Sequence, residues 1–556
     1  MKRSEFFQAW MGTPILEEAE REVVVRKRDT SALSMSLDPY TSWTEREAVH
    51  LLKRCHFGAV YAEVQTLMPL GLEGAVDLLL EAPLEEPVPP VNFYTLTNPE
   101  VVDNNVPAGE TWVNAPYEPT LEFWRGVSVK NWLLERFIHQ PLGIREKLML
   151  FWHNHFAVET RQSYAHLVYR HFVMLRTRAL GNFKELTKAV TLDPSMLVYL
   201  NGYLNTVEAP DENYARELQE LFTLGKGPEA KFTEDDVKAI ARILTGYTIN
   251  LTTGEMYFDP TRHDTGNKQL SSFYNNALIQ GRSGDAGQEE LDELLDYIFA
   301  KEEVSKFLCR KLYRFFVHYD LSPAVEENII TPLAALFRQS NYEIKPVLRK
   351  LLLSKHFFDT EHRGAFIKTP LDQTVGAIRE FGLQFPPVES LAARHSLFMD
   401  LLYYNAATGM ELADPPSVSG WPAYYQKPSY HRLWINSDSL PRRTLLVTAI
   451  CYTWIQREGF ILQIDFITFL QSLSNPAEPN SLIEDLTKLL LAYPVSFQVK
   501  GTLKAILLSG TFQDYYWTDA WETYLADPNE MNKATVINRI QPVIAYLVNL
   551  PEYQLA

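Results

Sequence analysis

From Leu121 onward, apolar residues recur at three- and four-residue spacing, the period of a helix with one face turned inward. The pattern predicts helices over 127–139, 143–157, 163–179, 212–224, 233–246, 288–300, 302–318, 324–339, 343–355 and 370–382, and again from about 440 to 556 with short breaks. Thr44 and Glu47 make a capping box ahead of "AVHLLKRC", with Gly58 as its stop. Thr233 and Asp236 repeat the box before "VKAIARILTGY". The period drops to two in "YTINLTTGEMYFDP", which alternates around Thr-Thr-Gly and predicts a hairpin. The expected fold is mainly α, a large multi-helical orthogonal array with one short β-hairpin and long loop excursions.

The same pattern divides the chain. Residues 1–40 read as a polar arm, and 41–120 as N-terminal helices plus a Pro-rich excursion at 82–119. Residues 121–440 read as a helical core, and 441–556 as a C-terminal helical region packed on it. The excursion holds eight prolines, which exclude a continuous helix. Phe93, Tyr94 and Trp112 give it anchors that a disordered linker lacks, so it is expected to lie ordered over the helical body.

Composition narrows the class. A 556-residue chain that is 46% hydrophobic can bury a large core. A net charge of −17 excludes duplex nucleic acid as the main partner, which would need a basic face. Cys55, Cys309 and Cys451 are too scattered for a disulfide framework or a zinc ribbon. No apolar run reaches membrane-spanning length, and Lys2-Arg3 is followed by charge rather than an apolar signal core. The chain therefore reads as cytoplasmic; the alternative is periplasmic or exported, carried by a signal-bearing partner.

Three stretches could carry chemistry. "LMLFWHNHF" sets His153 and His155 in an apolar run. On a helix they lie about 200° apart, so they do not share an ion from one face. The expectation is that His155 faces the helix of Glu217 while His153 makes a different contact. "DENYARELQELFTLGKG" places Asn213, Arg216, Glu217 and Glu220 on one side and apolar residues on the other, with Asp211 as N-cap. This is either a solvated face with an Arg216–Glu220 pair or two carboxylates lining a buried cleft. "FDPTRHDTGNK" gathers Arg262, His263, Asp264 and Lys268 in one loop. "DPPSVSGWP" reads as a rigid turn holding Trp421, and no GxSxG, HExxH or GxGxxG is present.

In order, "FWHNHFAV", "NYARELQELFTLG", "FTEDDVKAIARILTGY", "FDPTRHDTGNK", "FLCRKLYRFFV", "IKTPLDQTVGAIRE" and "DPPSVSGWP" resemble the bacterial family catalogued as domain of unknown function 1800, from about Trp43 to the C-terminus. The resemblance implies a mostly helical bacterial protein and no established reaction. It also implies a protein partner, because genes of this family often neighbour those of an exported sulfatase-like or phosphatase-like family. The polar and aromatic members of its motifs correspond here to Trp152, His153, His155, Asn213, Arg216, Glu217, Glu220, His263, Asp264 and Lys268.

Two functions are then open. In the first, a hydrolase, these groups converge between helices. His153, His155, Glu217 and His263 would hold a divalent metal, and Glu217, Glu220, His263, Asp264, Arg216 and Lys268 would do acid–base and anion-stabilising work on an ester or phosphoester. In the second, a non-catalytic accessory or scaffold protein, they form buried networks that fix helix register.

Overall fold

In the computed structural model, which describes residues 33–556 apart from Thr252, Thr453, Trp454 and Phe512, the capping boxes open helices. Glu47 takes the Thr44 backbone N–H at 3.0 Å, and helix α1 runs Glu45–Cys55. Residues 1–32, which hold most of the expected arm, lie outside the described residues. From Met35 to Ala556 the chain forms one compact unit around a continuous apolar core.

The Pro-rich excursion is ordered. Phe93, Tyr94 and Trp112 are buried. It leads into α2 (Glu122–Ile138), where Ser128 accepts the Trp112 indole N–H at 3.0 Å. Next come α3 (Arg145–His155), which carries the histidine stretch, and α4 (Ala165–Arg178).

The predicted helix over 212–224 is two things. It starts as α5 (Asn213–Glu217) and widens into a π-helix over Leu218–Thr223. The N–H groups of both Leu224 and Gly225 then converge on the Gln219 carbonyl, at 2.9 and 3.1 Å. Gly225 has φ +83°, and a Cβ there would stand 2.7 Å from the Phe307 ring, so only glycine closes this turn. Asp211 does accept the Asn213 N–H (2.7 Å), one residue ahead of the assigned cap.

Helix α6 (Glu234–Ile243) starts at the Thr233 box and feeds the predicted hairpin, β1 (Tyr247–Asn250) against β2 (Glu255–Phe258). Two more small antiparallel pairs, Lys268–Gln269 with Leu278–Ile279 and Ile455–Arg457 with Phe460–Leu462, correct the expectation of a single hairpin. Strands of two or three residues are too short to show a period. The helical array continues through α7 (Glu289–Phe299), α8 (Glu302–Phe316), α9 (Pro370–Glu380) and α10 (Leu391–Ala407). α10 covers the excursion, with His395 stacked on Phe93 at 4.2 Å. The fold is mainly α, with only short two-stranded sheets.

Candidate functional site

The three consecutive polar residues of "HNH" make three unrelated contacts. His153 stands edge-on to Phe172 and Trp421, at 4.8 and 5.2 Å between ring centroids. Among the described residues neither of its ring nitrogens has a hydrogen-bond partner, and burial, then the neighbouring His171, pushes its pKa down to about 3. Asn154 accepts the Trp421 backbone N–H at 2.9 Å. Gly420 lets this turn dock: its φ is +83°, and a Cβ would meet Asn154 Oδ1 at 2.3 Å. His155 turns the other way. Its Nε2 meets the Phe222 carbonyl at 3.0 Å and its Nδ1 meets Lys311 Nζ at 2.9 Å. Lys311 on α8 also donates to the Leu221 carbonyl (3.3 Å) and is lowered to about 7 by burial. A neutral His155 that donates from Nε2 and accepts at Nδ1 satisfies both partners. Together His155 and Lys311 take the carbonyls that the π-helix leaves free.

The carboxylates of the second stretch face outward from this contact. Arg216 is held by Glu234 at 2.7 and 2.8 Å, and Glu220 by Lys226 at 2.6 Å; the expected Arg216–Glu220 pair is only 3.9 Å. Glu217 is partly buried, one carboxylate oxygen has no partner, and burial raises its pKa. The two glutamates do not line a shared buried cleft. Their helix turns its buried side, Tyr214, Ala215, Leu218 and Phe222, toward the core instead.

The His263 loop is a lock onto α7. His263 presents Nδ1 to the Thr245 carbonyl at 2.9 Å and Nε2 to Glu290 at 3.2 Å. Lys268 reaches the other Glu290 oxygen at 2.5 Å, and both side chains are fully buried. Asp264 takes a forked contact from Arg242, at 2.6 and 3.0 Å. Glu290 is the residue that sequence reasoning missed. It sits in the acidic first turn of a helix, where glutamate is ordinary.

The expected convergence therefore does not occur. His153, His155, the Glu217–Glu220 face and the His263 loop have separate sets of partners. Among the described residues, no group of three His, Cys, Asp or Glu side chains is placed to hold a metal ion. His153, His155, Glu217 and His263 thus do not form a ligand set. The physical reason is that His155 and His263 give their ring nitrogens to different helix ends and loops, while those of His153 and one oxygen of Glu217 have no partner among the described residues.

A cleft of about 870 Å³ lies elsewhere, between α2, α10, the Thr160–Tyr164 segment and the turn ahead of "DPPSVSGWP". On its floor Lys130 stands 2.9 Å from Glu411 and 2.6 Å from Asp414. Arg161 pairs with Glu411 and reaches Asp414 at 3.4 Å. Thr160 donates to Asp414 from its backbone and its hydroxyl, at 2.7 and 2.8 Å. Ala413, just before Asp414, holds φ +63°, a conformation that costs a non-glycine residue about 1–2 kcal/mol. Burial raises the carboxyl of Glu122 on the wall, whose Oε2 accepts the Ala165 N–H at 2.9 Å. Burial alone would also raise Glu411, but Lys130 and Arg161 hold it below its ordinary value. The rim is aromatic: Tyr117, Phe123 and Tyr403 are 45%, 67% and 67% exposed.

Fold and motifs together define a large helical protein in which several motif residues bind segments of the chain to one another. The chain belongs to the family described as Protein of unknown function (DUF1800), whose model matches residues 50–555. No curated protein and no solved structure matches it. Among the described residues, no helix is long and apolar enough to cross a membrane.

Proposed function

We propose that the protein is a non-catalytic binding protein and that the cleft between α2 and α10 takes a neutral saccharide. Charge carries the reading. Lys130 and Arg161 are matched in the lining by Glu411 and Asp414, so the lining favours neither an anion nor a cation. The remaining lone pairs and N–H groups of such a network suit hydroxyl groups, which both donate and accept. The exposed rings of Phe123 and Tyr403 offer flat apolar faces to the C–H side of a sugar. A cleft with aromatic walls and a few fixed polar groups is the usual form of a small-molecule site.

Titration calorimetry against a panel of neutral oligosaccharides tests this. Binding is expected for at least one, weakened tenfold or more in Tyr403→Ala and in Phe123→Ala. No binding across the panel, or binding indifferent to both changes, removes the reading. The accessory role also keeps the sulfatase-like or phosphatase-like partner that the family resemblance implies; co-purification of the two chains tests that part.

One observation favours a second reading, hydrolysis in this same cleft. Glu122 is shifted toward its protonated form while Glu411 is held ionised, and an acid paired with a carboxylate is what glycoside cleavage requires. Release of reducing ends from a bound oligosaccharide, lost in Glu122→Gln, would replace binding by catalysis.

A further inference from the structure

Apart from the cleft, a small chamber of about 40 Å³ lies where α1, α3, α8 and the start of α9 meet. That is room for roughly three water molecules, close to the size of a tetrahedral oxyanion. Four cations line it: Lys53, Arg54, Lys147 and Arg314. Lys53 bonds Glu380 at 2.7 Å, and Lys147 pairs with Asp372. Asp372 also acts on Arg54, and Ala556 lines the same chamber; the four cations still outnumber these two side-chain carboxylates. Among the described residues, neither Arg54 nor Arg314 makes an ion pair with a carboxylate.

Their contacts are neutral ones. Arg54 donates from Nη2 to the His362 and Val317 carbonyls, at 2.6 and 3.5 Å, and lies over the Phe366 ring at 4.3 Å. Arg314 donates to the Tyr319 carbonyl at 3.3 Å and lies over Tyr430 at 5.5 Å. Among the described residues, Arg54 Nε and the Tyr424 hydroxyl, both donors of lining residues, have no partner; Arg54 is only 4% exposed. Behind Lys53 lie Arg443 and Lys368, the latter lowered to about 7 by burial, and among the described residues each has an unpartnered nitrogen.

An unbalanced buried charge costs several kcal/mol per ion. A lysine relieves that cost by losing its proton, but a guanidinium keeps its charge. The remaining relief is an anion. We propose that this chamber binds a small inorganic oxyanion, phosphate or sulfate, with Arg54 and Arg314 supplying charged N–H donors and Tyr424 a hydroxyl donor. Guanidinium is the group whose planar fork fits such an anion, through paired charge-assisted hydrogen bonds. A chloride ion satisfies the charge but accepts no paired N–H groups in this way.

The test uses the full chain prepared in chloride alone. Its thermal midpoint is measured against inorganic phosphate and against sulfate, with ionic strength held constant by sodium chloride. A specific site raises the midpoint with the logarithm of anion concentration above its dissociation constant. Equilibrium dialysis with radiolabelled phosphate should show one anion bound per chain. Arg54→Gln should weaken binding at least tenfold and Tyr424→Phe severalfold. The Tyr424 hydroxyl has no partner to lose, so Tyr424→Phe keeps the test open if Arg54→Gln fails to fold; Arg314→Gln is a further variant. Sulfate and phosphate also stabilise proteins generally by exclusion from the surface. An equal shift in parent and variants, or no retained label, would overturn the proposal.

Discussion

His153 and His155 lie two residues apart on one helix and ended in opposite environments. His155 has a partner on each nitrogen, whereas His153 has none and is packed between aromatic edges. That difference is measurable as a pH dependence. The folded pKa of His153, about 3, lies below the roughly 6.5 of an unfolded histidine. Between those values the unfolded chain binds the extra proton, so stability is full above the unfolded value and falls as pH drops toward the folded one. His153 alone should cost about 2 kcal/mol between pH 6.5 and 5. His153→Phe keeps the edge contacts and removes the proton. Its urea midpoint should match the parent near neutrality and fall less at pH 5; an unchanged acid slope would show that other groups set it.

The element that organises the motif region is the π-helix over Leu218–Thr223. Its wide turn frees carbonyls for His155 and Lys311, and its end closes through Gly225 against Phe307. Gly225→Ala meets two penalties, a left-handed backbone and a side-chain overlap, and should lose about 2–3 kcal/mol. Phe307→Leu in the same chain should return only the overlap part, since the backbone penalty is local. Full recovery in the double variant, read by thermal unfolding, would mean that φ is not strained there. Helical periodicity in the sequence revealed the element but not its type, because a π turn and an α turn bury nearly the same apolar residues.

Across the whole molecule, several residues of the polar motifs act as ties between distant segments. The His263 loop reaches α7 through Glu290, the "HNH" helix reaches Trp421, and α8 reaches the π-helix through Lys311. Structural and catalytic roles separate by stability. Glu290→Gln leaves buried Lys268 without its anion and should cost about 3–5 kcal/mol. Glu220→Gln removes a contact to an exposed lysine and should cost less than about 1 kcal/mol. Denaturant titration of the two variants checks both values. Comparable losses would mean that the two carboxylates are held alike. The cleft itself was hardly legible in the sequence. Lys130, Arg161 and the Glu411–Asp414 pair come from three separate stretches, and each looks like an ordinary surface charge until the fold brings them within ion-pair distance.

Local physics was readable from the chain alone. The capping boxes at Thr44 and Thr233, the hairpin over Tyr247–Phe258 and the opposite facing of His153 and His155 all follow from interactions within a few residues or from helical rotation, and the aromatic anchors of the Pro-rich excursion were visible in its composition. Tertiary structure decided which polar groups meet. A hydrogen bond between residues 154 and 421, or 263 and 290, depends on how helices pack, and helix packing is set by the summed burial of many apolar side chains. The periodicity that marks each inward face does not name its partner. That is why His263 and His155, close together among the polar motifs, became ties to different parts of the core, while Glu217 became a tie to none.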